Sequence, residues 1–108
     1  MTNESFENVI LELRRGVIVL AVLSRLDKEQ YGYSLINSLK EHNLEIDQGT
    51  LYPLLRRLEG QGLLQSNWRI EADRPRRYYI LSDEGRSLLP RLITEWTGIV
   101  SIMNKMLK

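Results

Sequence analysis

The chain has 108 residues, 43% hydrophobic and 27% charged, so it can bury one real core and is unlike a disordered sequence. It has no cysteine and one histidine, His42, which excludes disulfide frameworks, thiol catalysis and ordinary zinc ligand sets. A formal net charge of +1 does not by itself announce a nucleic-acid partner, so the distribution of charge has to carry that argument.

The N-terminal stretch MTNESFENVI is acidic where a signal peptide is basic, and its apolar residues come at helical spacing. The longest apolar run, 16–23, falls well short of the roughly 20 residues that span a bilayer. The expectation is a mature cytoplasmic protein. Asn3 or Ser5 can cap a first helix in which Phe6, Val9, Ile10, Leu13, Val17, Leu20 and Ala21 recur at three and four, while Leu11, Ile18 and Val22 lie off that stripe. A helix apolar on more than one side is buried in its own domain or covered by a partner as well.

After a break at 27–30, a second helix is predicted over 31–41, with Tyr31, Leu35 and Leu39 on one face. A polar connection over 43–49 leads to a third helix over 50–59, where Leu51, Leu54, Leu55 and Leu58 follow the i, i+3, i+4, i+7 pattern. With Thr50 as its cap, Pro53 falls in the first turn, where a missing N–H costs little, and Gly62 suits the left-handed residue that closes the helix.

From Leu64 the period changes to two. Leu64, Ser66, Trp68 and Ile70 alternate with Gln65, Asn67, Arg69 and Glu71 as in a half-buried strand, and 76–81 supplies a second strand after a turn at 73–75. Ser82 or Asp83 then caps a last helix running to the end of the chain. Its residues Leu89, Leu92, Trp96, Ile99, Met103 and Met106 alternate spacings of three and four, an apolar seam interrupted early by Pro90, where a kink is expected.

The order helix, helix, helix, strand, strand, helix is a winged helix-turn-helix with an added C-terminal helix, mainly α with a two-stranded β wing. Residues 1–81 form the DNA-binding unit in this division and 82–108 a dimerisation helix. Turning the four leucines of the third helix inward sends Tyr52, Pro53, Arg56 and partly Arg57 outward, with Thr50 at the helix N-terminus. Arginine can read guanine or clamp phosphate, and tyrosine and a helix N-terminus can also hold phosphate; a plain solvated face would carry the same residues. In the hairpin, Arg69, Arg74, Arg76 and Arg77 gather within nine residues. Six arginines stand against four acids between positions 47 and 81.

The strings YGYSLINSLK, GTLYPLLRRLEGQGLL and RPRRYYILSDEG, in this order and spacing, closely resemble the PadR family of transcriptional regulators over about residues 9–89. The resemblance implies a dimeric bacterial repressor whose third helix enters the major groove and whose wing touches phosphates or the minor groove. By match it gives those roles to Tyr52, Arg56 and the wing arginines. One helix after the wing is similar to the short members of the family.

The C-terminal seam of Leu89, Leu92, Trp96, Ile99 and Met103 is most economically buried against a second copy, aided by the many-sided first helix. A two-fold axis near Trp96 would pair two indoles. Some short PadR-like proteins bind planar aromatic compounds between such helices, which marks Trp96 as a candidate ligand platform, although simple packing is the commoner fate of a tryptophan. No cofactor, metal or catalytic constellation is expected. The alternative to an inverted-repeat, double-stranded DNA partner is a winged-helix module that binds another protein, with the arginines incidental.

Overall fold

The computed structural model describes residues 2–108. It is mainly helical, with the elements α1 (Asn3–Arg25), β1 (Gln30–Tyr31), α2 (Gly32–Glu41), α3 (Gln48–Gly60), β2 (Leu64–Glu71), β3 (Arg74–Leu81) and α4 (Asp83–Met106). The strands form one antiparallel sheet in the order β1-β3-β2. This is the winged helix-turn-helix with an added helix, and the wing carries a third, two-residue strand that the sequence pattern did not announce.

Several helix ends have a visible chemical cause. Thr2 caps α1 by accepting the Ser5 N–H at 3.1 Å, one residue before the expected Asn3. Asp47, not Thr50, caps α3: its carboxylate accepts the Thr50 N–H at 2.8 Å, and Thr50 lies inside the first turn. Pro53 is thereby displaced into the second turn, where the missing N–H leaves the Gly49 carbonyl without its helical donor. At the other end Gly62, at φ 82°, turns the chain so that its N–H reaches the Glu59 carbonyl while the Leu63 N–H reaches that of Leu58. Asn43, at φ 64°, closes α2 in the same way.

The second helix starts at Gly32 because Tyr31 is extended and pairs with Tyr78 of β3. The hairpin turn is also shorter than expected. Glu71 faces Arg74, leaving Ala72 and Asp73 as a two-residue loop with φ of 49° and 61°, the mirror-image turn whose twist suits a hairpin.

The core is built from Leu23, Leu26, Leu35, Leu51, Leu55 and Leu58, each almost fully buried, with Leu64, Tyr79 and Leu81 from the sheet. The last turns of α1 supply Ile18, Val22 and Leu23. Ile18 and Val22 lie off the expected stripe, whereas Phe6, Val9 and Leu13 of that stripe are exposed. The compact body is only long enough to cover the second half of α1. The expected half-buried β2 also needs correcting: Leu64 is buried and Ser66 half-buried, but Trp68 is 64% and Ile70 80% exposed, because the hairpin outgrows the body beneath it.

α4 runs unbroken through Pro90, and its only buried residue is Gly85. Its start is clamped to the α3–β2 turn. Ser82 Oγ donates to the Gly62 carbonyl at 2.6 Å and accepts the Gly85 N–H at 3.0 Å, while the Ser82 N–H donates to the Leu63 carbonyl. A Cβ on Gly85 would stand 2.2 Å from that same Leu63 oxygen, so the backbones touch.

Candidate nucleic-acid interface

The outward face of α3 carries Thr50, Pro53, Arg56 and Arg57, all exposed. Tyr52 is different. It is half-buried, and its ring lies so close over Gly32 that a Cβ there would fall 2.1 Å from a ring carbon. The phenol thus packs against the start of α2 rather than projecting outward as its helical position suggested; a side chain at residue 32 would push it out.

Arg56 and Arg57, adjacent in sequence, serve two different hollows. Arg57 joins Thr50, Pro53, Leu11 and Arg15 around a cleft of about 320 Å³ between α1 and α3. Arg56 joins Tyr52, Trp68, Pro75, Arg76 and Arg77 around one of similar size between α3 and the wing. Arg15 escaped the sequence reading, yet it precedes Ile18, Val19 and Val22 by three, four and seven, so the buried face of α1 would have located it.

The wing arginines are not equivalent. Arg77 donates from Nε to Ser66 Oγ at 3.0 Å and from Nη2 to Glu59 Oε1 at 2.6 Å, and Ser66 Oγ donates to Glu59 Oε2 at 2.6 Å. This closed triangle ties the wing to the end of α3. The same guanidinium lies 5.3 Å from the Tyr79 ring centroid and 5.7 Å from that of Trp68. Arg76 reaches Glu71 at 3.4 Å and covers the Tyr31 ring at 4.6 Å. Arg69 pairs with Glu29, which also accepts from Asn67 Nδ2, and covers the Tyr78 ring at 4.4 Å.

Among the described residues only Arg74, exposed beside the hairpin turn, lacks a carboxylate partner in the wing. Arg56 and Arg57 share that freedom on α3. The Tyr78 hydroxyl donates to Glu71 at 2.6 Å, and this bond to a carboxylate holds the phenol above its ordinary value; burial does the same for Tyr79. Both remain neutral donors at ordinary pH. The site's positive surface thus comes from fewer arginines than the sequence contains.

Away from this face, α1 and α4 border an apolar hollow of about 410 Å³ lined by Leu13, Val17, Leu20, Leu92, Trp96 and Ile99. Leu89 and Leu92 are half-buried against the chain's own core, whereas Trp96 and Met103 are each 39% exposed and Ile99 50%. No helix among the described residues is long and apolar enough to cross a membrane, and those residues hold no cluster of His, Asp or Glu that could hold a metal ion.

Comparison with known proteins places these features in one group. The model of the transcriptional regulator PadR-like family matches residues 19–91. A curated relative, the transcriptional regulator Rv3488 of Mycobacterium tuberculosis, is 39% identical over 79 residues, covering 72% of this chain and 74% of its own. The crystal structure of a PadR family transcriptional regulator from Eggerthella lenta superposes with a TM-score of 0.88 at 42% identity, over 98% of this chain and 95% of that one. A PadR family transcription regulator from Clostridium difficile gives 0.75 at 31% identity, over 84% and 98%.

Proposed function

Because the chain belongs to the PadR-like family of transcriptional regulators, we propose that it works in the cytoplasm as a homodimeric repressor that inserts α3 into the major groove of an inverted-repeat operator. The observation that carries this is the pair of unpartnered arginines, Arg56 and Arg57, on an exposed helix face with Thr50 and Pro53. An unpaired guanidinium keeps all its donors for guanine or phosphate. In this reading residues 1–81 contact DNA and 82–108 pair the two copies.

The exposed apolar residues of α4 support pairing. Trp96, Ile99 and Met103, together with Val9 and Leu13 of α1, leave a long face that a second copy would cover with the same face of its own. Two such copies present two α3 helices, so the half-sites lie about 34 Å apart or at a multiple of it. Binding should weaken steeply with salt, since each neutralised phosphate releases counterions, whereas a protein-docking module would show a shallow dependence. Selection of duplexes from a random pool, followed by salt titration and transcription from the selected sequence in vitro, tests the reading. Recovery of no preferred sequence, or activation in place of repression, would overturn it.

Relief of repression by a planar aromatic or cationic compound belongs to the same proposal. Its support is the part-exposed indole of Trp96 in the α1–α4 hollow, where a stacked ring could lie on the seam. Dye titration should quench Trp96 and lower operator affinity together, because coupling of two ligands is reciprocal. Quenching without change in operator affinity would leave Trp96 as packing.

A further inference from the structure

The face of α1 turned toward α3 holds residues that neither the core nor the seam explains. At about 100° per residue, Leu11 and Arg15 each stand about 160° around α1 from Leu13, so they look away from the side that meets α4. On that other side the exposed Phe6, Val9 and Leu13 can be covered by a second copy, whereas Leu11, 52% exposed, cannot. Leu11 instead borders the cleft of about 320 Å³ between α1 and α3. That volume lies at the lower end of the range for small-molecule sites, roughly 300–1,000 Å³.

Both helices bring the same kinds of side chain to this cleft at helical spacing. α1 supplies Leu11, Arg15 and Ile18, and α3 supplies Thr50, Leu54 and Arg57. Ile18 and Leu54 reach it from the core, being 6% and 9% exposed, and form its floor. Every apolar residue lining it is aliphatic, so no ring is offered for stacking, in contrast to the hollow under the wing with Tyr52 and Trp68. Arg15 and Arg57 are exposed, and among the described residues neither has a carboxylate at salt-bridge distance. The Thr50 hydroxyl adds a neutral donor. Two free guanidiniums and a hydroxyl around a small aliphatic cleft complement one anionic head on an alkyl chain.

We propose that this cleft binds an aliphatic carboxylate of medium chain length, with the alkyl chain on Leu11, Ile18 and Leu54 and the carboxylate between Arg15 and Arg57. A nucleic-acid phosphate would also pair with the arginines, but it has no apolar part to cover the floor. The consequence for regulation rests on the DNA-binding reading above. Thr50, Pro53 and Arg57 belong to the α3 face that this reading presents to the groove, so bound carboxylate and operator compete for the same residues. Such competition needs no change of shape, and it is reciprocal. It is also separate from the hollow that holds Trp96, which lies on the opposite side of α1.

The probe is octanoate, kept below its micellar range and titrated by calorimetry into the full-length protein without DNA. One site per chain should saturate. Arg15→Ala and Arg57→Ala should each weaken it roughly tenfold, as expected for the loss of a charge-assisted pair, and Leu11→Ser several-fold through lost apolar cover. All three side chains are exposed, so unaltered thermal unfolding of the variants separates lost binding from lost fold. Octanol, with the same chain and no charge, should bind far more weakly. On the duplex recovered by selection, octanoate should raise the apparent Kd in step with its concentration. No saturable octanoate binding, or binding that survives both arginine substitutions or is matched by octanol, would overturn the site. Arg15→Ala that lowers the salt slope of duplex binding but leaves octanoate binding intact would make Arg15 a phosphate contact, and would overturn it too. Octanoate and duplex bound together without mutual effect would overturn the competition. Saturable, arginine-dependent octanoate binding by a protein that binds no duplex would uphold the site and remove the DNA reading instead.

Discussion

Two groups of arginines lie within 21 residues of each other and behave differently. On α3, Arg56 and Arg57 are exposed and unpartnered among the described residues; on the wing, Arg69, Arg76 and Arg77 each face a carboxylate and an aromatic ring. The first group is exposed charge with no carboxylate partner, which the proposed function assigns to DNA. The second is charge used to stiffen a two-stranded ribbon that has little core of its own. A count of basic residues treats them alike, and only their surroundings separate free charge from scaffold.

The comparison breaks most plainly at Arg56. Arg56→Ala should weaken binding to the selected duplex by about 1–3 kcal/mol and leave thermal stability within about 0.5 kcal/mol. Arg77→Ala should do the reverse. Opening the Glu59–Ser66–Arg77 triangle should cost about 1 kcal/mol of stability, discounted for a pair still reached by water, and a double-mutant cycle with Glu59→Gln should recover a similar coupling. If Arg77→Ala instead lowers the salt slope with no change in Tm, the wing arginines belong with those of α3 and the distinction fails.

Arg74→Ala lies between the two. It should weaken all duplexes a few-fold, reduce the salt slope by about one and leave Tm alone, as expected of one exposed phosphate contact. The smallest effect concerns the turn. Ala72 holds a left-handed φ of 49°, which glycine adopts without strain, so Ala72→Gly should raise stability by about 0.5 kcal/mol, measured by urea unfolding, without altering affinity at saturating salt-matched conditions.

Much of the fold was legible because periodicity is a local signal. The leucines of α3 and the change of period at Leu64 announce their elements without reference to the rest of the chain. Features set by distant partners were not. Tyr31 is a strand residue only because Tyr78 lies beside it, and Glu29 meets Arg69 across 40 positions. Trp68 and Ile70 fit a half-buried pattern, but whether a patterned face is covered depends on how far the body extends under it. Tyr52 shows the same limit at one residue: helical geometry turns it outward, and Gly32 makes room to fold it back.

The clamp at the root of α4 has a mechanical consequence. Ser82 and Gly85 tie the helix to the α3–β2 turn by hydrogen bonds and close backbone contact, so the base of α4 is held to the body that carries α3. Its 24 residues extend about 36 Å. For two copies joined toward the free ends of these helices, a relative tilt of about 5° would swing one body by about 3 Å relative to the other. That is close to the rise of one base pair, about 3.4 Å. In the proposed dimer, a very small angular change at the seam would thereby shift the spacing of the two α3 helices by about one step of operator register.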